Sequence, residues 1–249
     1  YQVTQNNVSN FDTTVHVSLA GTVSPADVDS ISYTDVNGVV QTVTDPAAIA
    51  ALFSTGFDVE IPAGSTAAPS ITVTPKQDSI YEVSEDLTLS ISAPTNAAVG
   101  TPSATGSIKD EDDNSTNTTG DTNDGDKPLV SIAATDATAV EGVAGDTLAY
   151  QVTQNNVSNF DTTVHVSLAG TVSPADVASI SYTDVNGNLV TVTDPTAIAT
   201  LFSTGFDVEI PAGSTAAPSI TVTPVNDTLY EISEDLTLSI SAPTNAAVG

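Results

Sequence analysis

Residues 150–249 repeat residues 1–100 with 11 differences in 100 positions, and this duplication constrains the fold more than any other feature. Tyr1-Gln2-Val3-Thr4-Gln5-Asn6-Asn7 returns as Tyr150-Gln151-Val152-Thr153-Gln154-Asn155-Asn156, and Leu87–Ile91 returns as Leu236–Ile240. Several differences are mild: Ile80 against Leu229, Val83 against Ile232, Gln77 against Asn226. A unit this long exceeds the short repeats of a solenoid, so each copy is expected to be a self-contained domain in a string. Near-identical tandem domains suit spacers and multivalent surface proteins and seldom serve an enzyme. The copies are also out of phase with the chain. Pro128–Ala149 leads into the second copy and Thr101–Asp113 trails the first, and neither segment recurs. The expectation is a window on a longer array, with a first sandwich at 1–113 lacking its opening strand, an acidic linker at 114–127, and a second sandwich at 128–249 lacking its closing strand. The alternative is that neighbouring chains supply the missing strands through unpaired edges.

Charge narrows the partners. There are 31 Asp and Glu against 3 Lys and Arg, for a formal net charge of −28. Such a chain does not neutralise phosphates, so nucleic acid and anionic membrane surfaces are not expected partners. No apolar run approaches the roughly 20 residues that cross a bilayer, so direct membrane insertion is not expected either. Crowded carboxylates resist compaction unless cations bind, and hard divalent cations fit because oxygen ligands are the abundant ones. With no Cys, disulfides, thiolate metal sites and cysteine nucleophiles are excluded. A lysine-poor chain rich in Thr, Ser and Asn then points to an exported, cell-surface protein stabilised by calcium rather than disulfides.

Period-two alternation marks short strands. Leu148, Tyr150 and Val152 fall on one face, as do Val164, Val166 and Leu168, with Thr163, His165 and Ser167 outward. Val208–Ile210, Ser219–Thr223 and Leu236–Ile240 continue the series between Gly, Pro and Asn turns. The predicted fold class is all-β: two tandem antiparallel β-sandwich domains, Ig-like in architecture, each with a hairpin plus short-helix insertion. In the insertion, Ile180–Thr183 and Leu189–Val192 flank Asn186-Gly187, a two-residue hairpin signal. Asp194 as N-cap, Pro195 at the first helical position and Gly205 as the stop predict a helix near Pro195–Ser203, matched by Pro46–Ser54. Its apolar side carries Ile198, Leu201 and Phe202, which suits a lid over one sandwich edge better than a ligand-binding excrescence.

Residues 110–127 contain no apolar residue and seven carboxylates in 18 positions, the composition of a tether. Asp121–Asp126 is spelled like a calcium loop but fails the EF-hand spacing, because Gly125 sits where a ligand belongs. More specific are the ordered elements Val140-Glu141-Gly142, Ile210-Pro211-Ala212-Gly213-Ser214, Tyr230-Glu231-Ile232-Ser233-Glu234-Asp235 and Lys109-Asp110-Glu111-Asp112-Asp113. This order resembles the Calx-beta domain, the calcium-binding sandwich of sodium–calcium exchangers that also recurs in giant bacterial adhesins. Tyr230–Leu238 and Tyr81–Leu89 match the family's Tyr-Glu-Gly-Asp-Glu-x-Phe-Thr-Leu element, with Ile or Val replacing its Gly, and 96–108 looks like its final hairpin. Only the hairpin–helix insertion falls outside the likeness.

The resemblance implies calcium ligands at Glu141, Asp176 and Glu234 in the second copy, and at Asp27, Glu85, Asp110, Asp112 and Asp113 in the first. Asp207 competes with Asp176 for one position, as Asp58 does with Asp27. Asp110–Asp113 is expected at the joint between copies, where one calcium site couples both domains.

Catalytic readings find little support. His16 and His165 are one residue in two copies, pointing outward from a strand with no evident partner. Glycosidase carboxylates would need aromatic sugar platforms, and Trp is absent. The expected function is that of extender repeats in a large RTX-type bacterial surface adhesin. Calcium would rigidify them, and they would project a distal module for adhesion or biofilm formation. The alternatives are a repeated sugar- or protein-binding module using the insertion, or a surface-layer or filament subunit assembled by strand exchange.

Overall fold

The structure is a computed structural model and describes residues 1–82, 84–109, 126–228 and 232–249. The chain divides into two compact units: Tyr1–Asp78 with Val83–Asp110, and Ser79–Glu82 with Glu111–Gly249. In chain order the first repeat contributes strands β1 (Thr13–Gly21), β2 (Val28–Thr34), β3 (Val40–Val43), β4 (Phe57–Ile61), β5 (Thr72–Pro75), β6 (Ile80–Tyr81), β7 (Glu85–Ser92) and β8 (Ser103–Ile108). There follow β9 (Leu129–Asp136), β10 (Leu148–Gln154), β11 (Val157–Ser158), β12 (Thr162–Gly170), β13 (Val177–Thr183), β14 (Leu189–Val192), β15 (Phe206–Ile210), β16 (Ile220–Pro224), β17 (Leu236–Ser241) and β18 (Ala247–Val248).

In the first unit one sheet runs β4-β1-β7-β8 and the other β3-β2-β5. In the second, one sheet runs β15-β12-β17 and the other β14-β13-β16-β10-β9-β18, with β11 paired to β6. Ladders are antiparallel except β18 on β9 and β6 on β11. The core follows from the alternation. In β12, Val164 and Val166 are fully buried and Leu168 nearly so, while Thr163, His165 and Ser167 alternate outward. Val208 and Ile210 of β15 and Leu238 of β17 join that face, and Val130, Val152, Ile180, Ile220 and Val222 of the other sheet close the same core. Residues Ser79–Glu82, which the sequence groups with the first repeat, belong to the second unit, where β6 lies beside β11.

The insertion helices are α1 (Pro46–Thr55) and α2 (Pro195–Thr204). Asp194 Oδ1 accepts the Ala197 amide at 2.9 Å, and the Gly205 amide donates to the Leu201 carbonyl at 2.8 Å. Ile198 is fully buried, with Leu201 and Phe202 half-buried against the same core. The helix packs on β12 of one sheet and β13 of the other, so it covers an edge between them.

The hairpin differs from the two-residue turn expected at Asn186-Gly187. Asp184 pairs with Asn188, and Gly187 donates back to the Asp184 carbonyl at 3.0 Å, so the loop tip is Val185-Asn186-Gly187. Of these residues Gly187 has positive φ (+76°). The cause is Asp184, whose Oδ1 accepts the amides of Asn186 and Asn188, both at 2.9 Å. That Asx arrangement stabilises a type I turn followed by a left-handed residue over a two-residue turn. These amides, Asn188 first, hold the Asp184 carboxyl below the usual Asp range.

Because Ile198 is the knob that fixes α2 to both sheets, Ile198→Ala is expected to destabilise the second unit by about 2–5 kcal/mol. Ile49→Ala should do the same to the first unit. Urea unfolding of the intact chain, with separate reporters in each unit, checks that each substitution moves one transition.

Candidate metal centre

The site is built from loops that leave the strands at one end of the second unit. Strand β12 stops at Gly170, whose φ is +140° and whose added Cβ would lie 2.0 Å from the Asp235 carbonyl oxygen. Only glycine admits that approach. Beyond it, the Thr171 and Val172 amides donate to the same carbonyl at 2.9 and 3.3 Å, and the Asp235 amide donates to Thr171 Oγ1 at 2.8 Å. This clasp fixes the entry to β17 and sets its neighbour, Glu234, beside the next turn of the chain.

That turn is a 3₁₀ segment, Pro174–Asp176, closed by a capping box. Ser173 donates to Asp176 Oδ2 from its amide at 3.0 Å and from its hydroxyl at 2.7 Å. The Asp176 carbonyl accepts the Val225 amide at 2.8 Å, which brings in the segment after β16. Next to Val225 is Asn226, whose Oδ1 packs over the Glu141-Gly142 turn. A Cβ on Gly142 (φ +75°) would meet it at 3.1 Å. Four separate stretches of sequence thus converge.

The electrostatics record the convergence. The Glu234 carboxyl titrates above the usual Glu range. Loss of surrounding water is the largest cause, then the charge of Asp176 and the hydrogen bond it accepts from protonated Glu234, then the charge of Glu141. Asp176 is thus a direct neighbour of Glu234, and Glu141 is near enough for its charge to be felt there. Asp207, the competitor of Asp176, stands elsewhere: its Oδ1 is 2.7 Å from His165 Nδ1, directly across the β12–β15 ladder. Among the described residues, no three His, Asp or Glu side chains close into a group that grips a metal as they stand. The donors are nonetheless hard oxygens of the kind calcium takes, three carboxylates and a carboxamide.

In the first unit Asp27 repeats the capping box, with Oδ2 accepting the Ser24 amide at 2.8 Å, and its carbonyl accepts the Lys76 amide at 2.8 Å. Glu85 opens β7. Lys76 replaces Val225 and carries its own ion pair to Asp78 at 3.2 Å, and Gln77 replaces Asn226. Asp58 pairs with His16 at 2.7 Å as Asp207 pairs with His165. Asp110, Asp112 and Asp113 lie outside the described residues, as does most of the acidic segment.

Two features escaped the sequence reading. The histidines do have partners, because antiparallel pairing sets residues 42 positions apart directly opposite one another. Asn226 also joins the acidic loops, and its only sequence signal was its place beside Asp227 in a Pro-Val-Asn-Asp turn.

No family model and no curated protein matches the chain. Among solved structures it is similar to CBD12 from CALX1.2, at TM-score 0.30 and 12% identity, over 97% of this chain and 72% of that one. It is likewise similar to the calcium binding domain CBD12 of CALX1.1, at TM-score 0.30 and 9% identity, over 97% and 71%. Superpositions this loose transfer no residue's role.

A raised carboxyl pKa in the folded state means the fold holds that proton better than the unfolded chain. The contribution of Glu234 to stability is therefore present below its unfolded pKa and lost as pH rises through its folded pKa. Asp176→Asn should lower the Glu234 pKa toward the ordinary range, and Glu141→Gln should lower it less. Carboxyl NMR titration of Glu234 in the three proteins measures both shifts.

Proposed function

We propose that the chain is a pair of calcium-stiffened structural repeats from an extracellular array, an extender that projects a distal adhesive module and performs no catalysis. The observation that carries the reading is the approach of the Asp176 and Glu141 loops to Glu234, whose pKa is raised first by loss of water and then by the charges of those two acids. A cation of two charges relieves that repulsion, and Asn226 Oδ1 adds a neutral donor. Near-identity of the copies supports a mechanical role, since a spacer needs each domain to repeat the last. Burial of Ile198 within its own unit favours the lid role for the insertion over ligand binding. The surface context of the proposal rests on the resemblance of nearly the whole repeat to Calx-beta extender domains of adhesins, of which Tyr230–Leu238 carries the family element.

The test is thermal unfolding and small-angle scattering of the chain in calcium and in chelator. Calcium at a hundredfold excess over its dissociation constant should stabilise the binding unit by about 2.7 kcal/mol. The variant Asp176→Asn with Glu234→Gln should lose that increment while keeping the melting point seen in chelator. Identical melting and radius of gyration in both buffers would remove calcium from the reading.

A further inference from the structure

Variation between the two copies is confined to two zones, and one of them borders a sheet edge. Six of the 11 differences lie in or beside the insertion: Asp29 against Ala178, Val39 against Asn188, Val40 against Leu189, Gln41 against Val190, Ala47 against Thr196 and Ala51 against Thr200. The other five fall between positions 76 and 83. Five of the six insertion pairs are exposed in both copies, and the sixth, Gln41 with Val190, is half-buried. Exposure alone does not select them. Pro62–Gly64 and Thr95–Asn96 are exposed as well, yet return unchanged as Pro211–Gly213 and Thr244–Asn245. Ile49 and Ile198 hold the helices in their cores, so what varies is the outward side of the insertion.

Among the described residues, β14 ends its sheet with β13 as its one neighbour, and β3 ends its sheet beside β2. The Asp184 amide donates to the Asn188 carbonyl, so antiparallel alternation makes Thr183–Leu189 and Ser181–Thr191 the pairs without mutual hydrogen bonds. The amides and carbonyls of Leu189 and Thr191 therefore point away from β13. Asp35 and Val39 set the same phase in the first unit, so Val40 and Thr42 present theirs. At these edges Leu189 is 76% exposed and Val40 67% exposed. Natural edges are commonly blunted by lysine or proline, and β3 and β14 carry neither. The surrounding charge has one sign. Residues 28–56 and 177–205 hold Asp29, Asp35, Asp45, Asp184 and Asp194 and no Lys or Arg. A second copy of this chain would bring the same negative edge, whereas a basic segment complements it.

We propose that the β3 and β14 edges are docking sites for an extended segment of a partner protein that alternates apolar side chains with Lys or Arg and adds as a further strand. Its backbone pairs with Leu189 and Thr191, or with Val40 and Thr42. An apolar side chain sits against Leu189 or Val40, and a basic one reaches Asp184 or Asp35. The differences between copies tune the two edges. In the first unit Gln41 Nε2 donates to Asp35 Oδ2 at 2.8 Å, whereas in the second Val190 replaces Gln41 and the Asn188 carboxamide reaches Asp184 Oδ2 at 3.4 Å. Leucine also offers one methylene more than valine, so the second edge is the tighter site. The site uses no residue of the acidic loops and leaves the helix its place over the core.

The test is an end-blocked peptide, Lys-Thr-Val-Lys-Val-Thr-Lys, titrated into the intact chain at low salt and read by amide hydrogen exchange. Exchange at Leu189 and Thr191 should slow at least about tenfold at saturation. Val40 and Thr42 should follow at roughly fourfold higher peptide concentration, the worth of one buried methylene. Val190 and Val192, whose amides face β13, serve as internal references. The same peptide with Glu in place of Lys should protect neither edge. Thr191→Pro removes an outward amide and spares the β13 ladder, so it should abolish protection in the second unit while exchange in β12 stays slow. Leu189→Glu, a change at an exposed side chain, should weaken binding there as well. No protection by the basic peptide, or equal protection by the acidic one, overturns the proposal. So does slowing at these amides that grows with protein concentration without peptide, which would make the occupant a second copy.

Discussion

Strand β12, with its twin β1, is the constraint on which each unit depends. It is bonded on both edges, to β15 and to β17, so neither its register nor its face can change without breaking two ladders. Its inward residues Val164, Val166 and Leu168 anchor one wall of the core, and α2 rests against its flank. Its last residue, Gly170, admits the Asp235 carbonyl, and so the same strand that organises the core also sets the position of Glu234. A shift of one residue would turn the valines to solvent and move the acidic loops apart together.

Charge works against this compactness. With 31 acidic and 3 basic side chains, carboxylates have few cationic partners. The fold answers locally by giving several of them backbone amides. Asp194 caps a helix, Asp176 closes a 3₁₀ turn, Asp184 holds a hairpin, and Asp161 Oδ1 accepts the Ala212 amide at 2.8 Å. Such carboxylates are neutralised in part by peptide dipoles and stabilise turns. Glu234 differs: loss of surrounding water first, and then acidic neighbours, raise its pKa where amides lower that of Asp184. The contrast sets a carboxylate satisfied by amides, such as Asp184, against Glu234, whose named neighbours are acids, while Asp176 takes part in both arrangements.

Much of the fold was legible because its signals are local. Alternation placed the strands to within a residue or two, and Asp194, Pro195 and Gly205 bounded α2 almost at its ends. The hairpin tip was misjudged because Asn-Gly was read alone, without the Asp184 side chain that selects a longer turn. Long-range facts were harder. That His165 meets Asp207 depends on a β12–β15 register that no short window of sequence encodes. Glu141, Asp176 and Glu234 were singled out through a family pattern, whereas the part of Asn226 depends on how the segment after β16 crosses the Asp176 carbonyl.

The duplicated sequence makes one further point about how such domains hold together. Tyr1–Gln5 and Tyr150–Gln154 are identical, yet the second is a strand paired on both edges and the first makes a single isolated bridge, Thr4 to Ala67. Ala98-Val99 and Ala247-Val248 are likewise identical, and only the second pair is part of a sheet. Intrinsic propensity is the same in both copies, so the difference arises from the presence of β9 beside them. A strand between two segments completes hydrogen bonds for both and buries their shared apolar floor, whereas its absence leaves amides and methyl groups facing water. Secondary structure at this end of the sandwich is therefore a property of the neighbouring strand as much as of the segment itself.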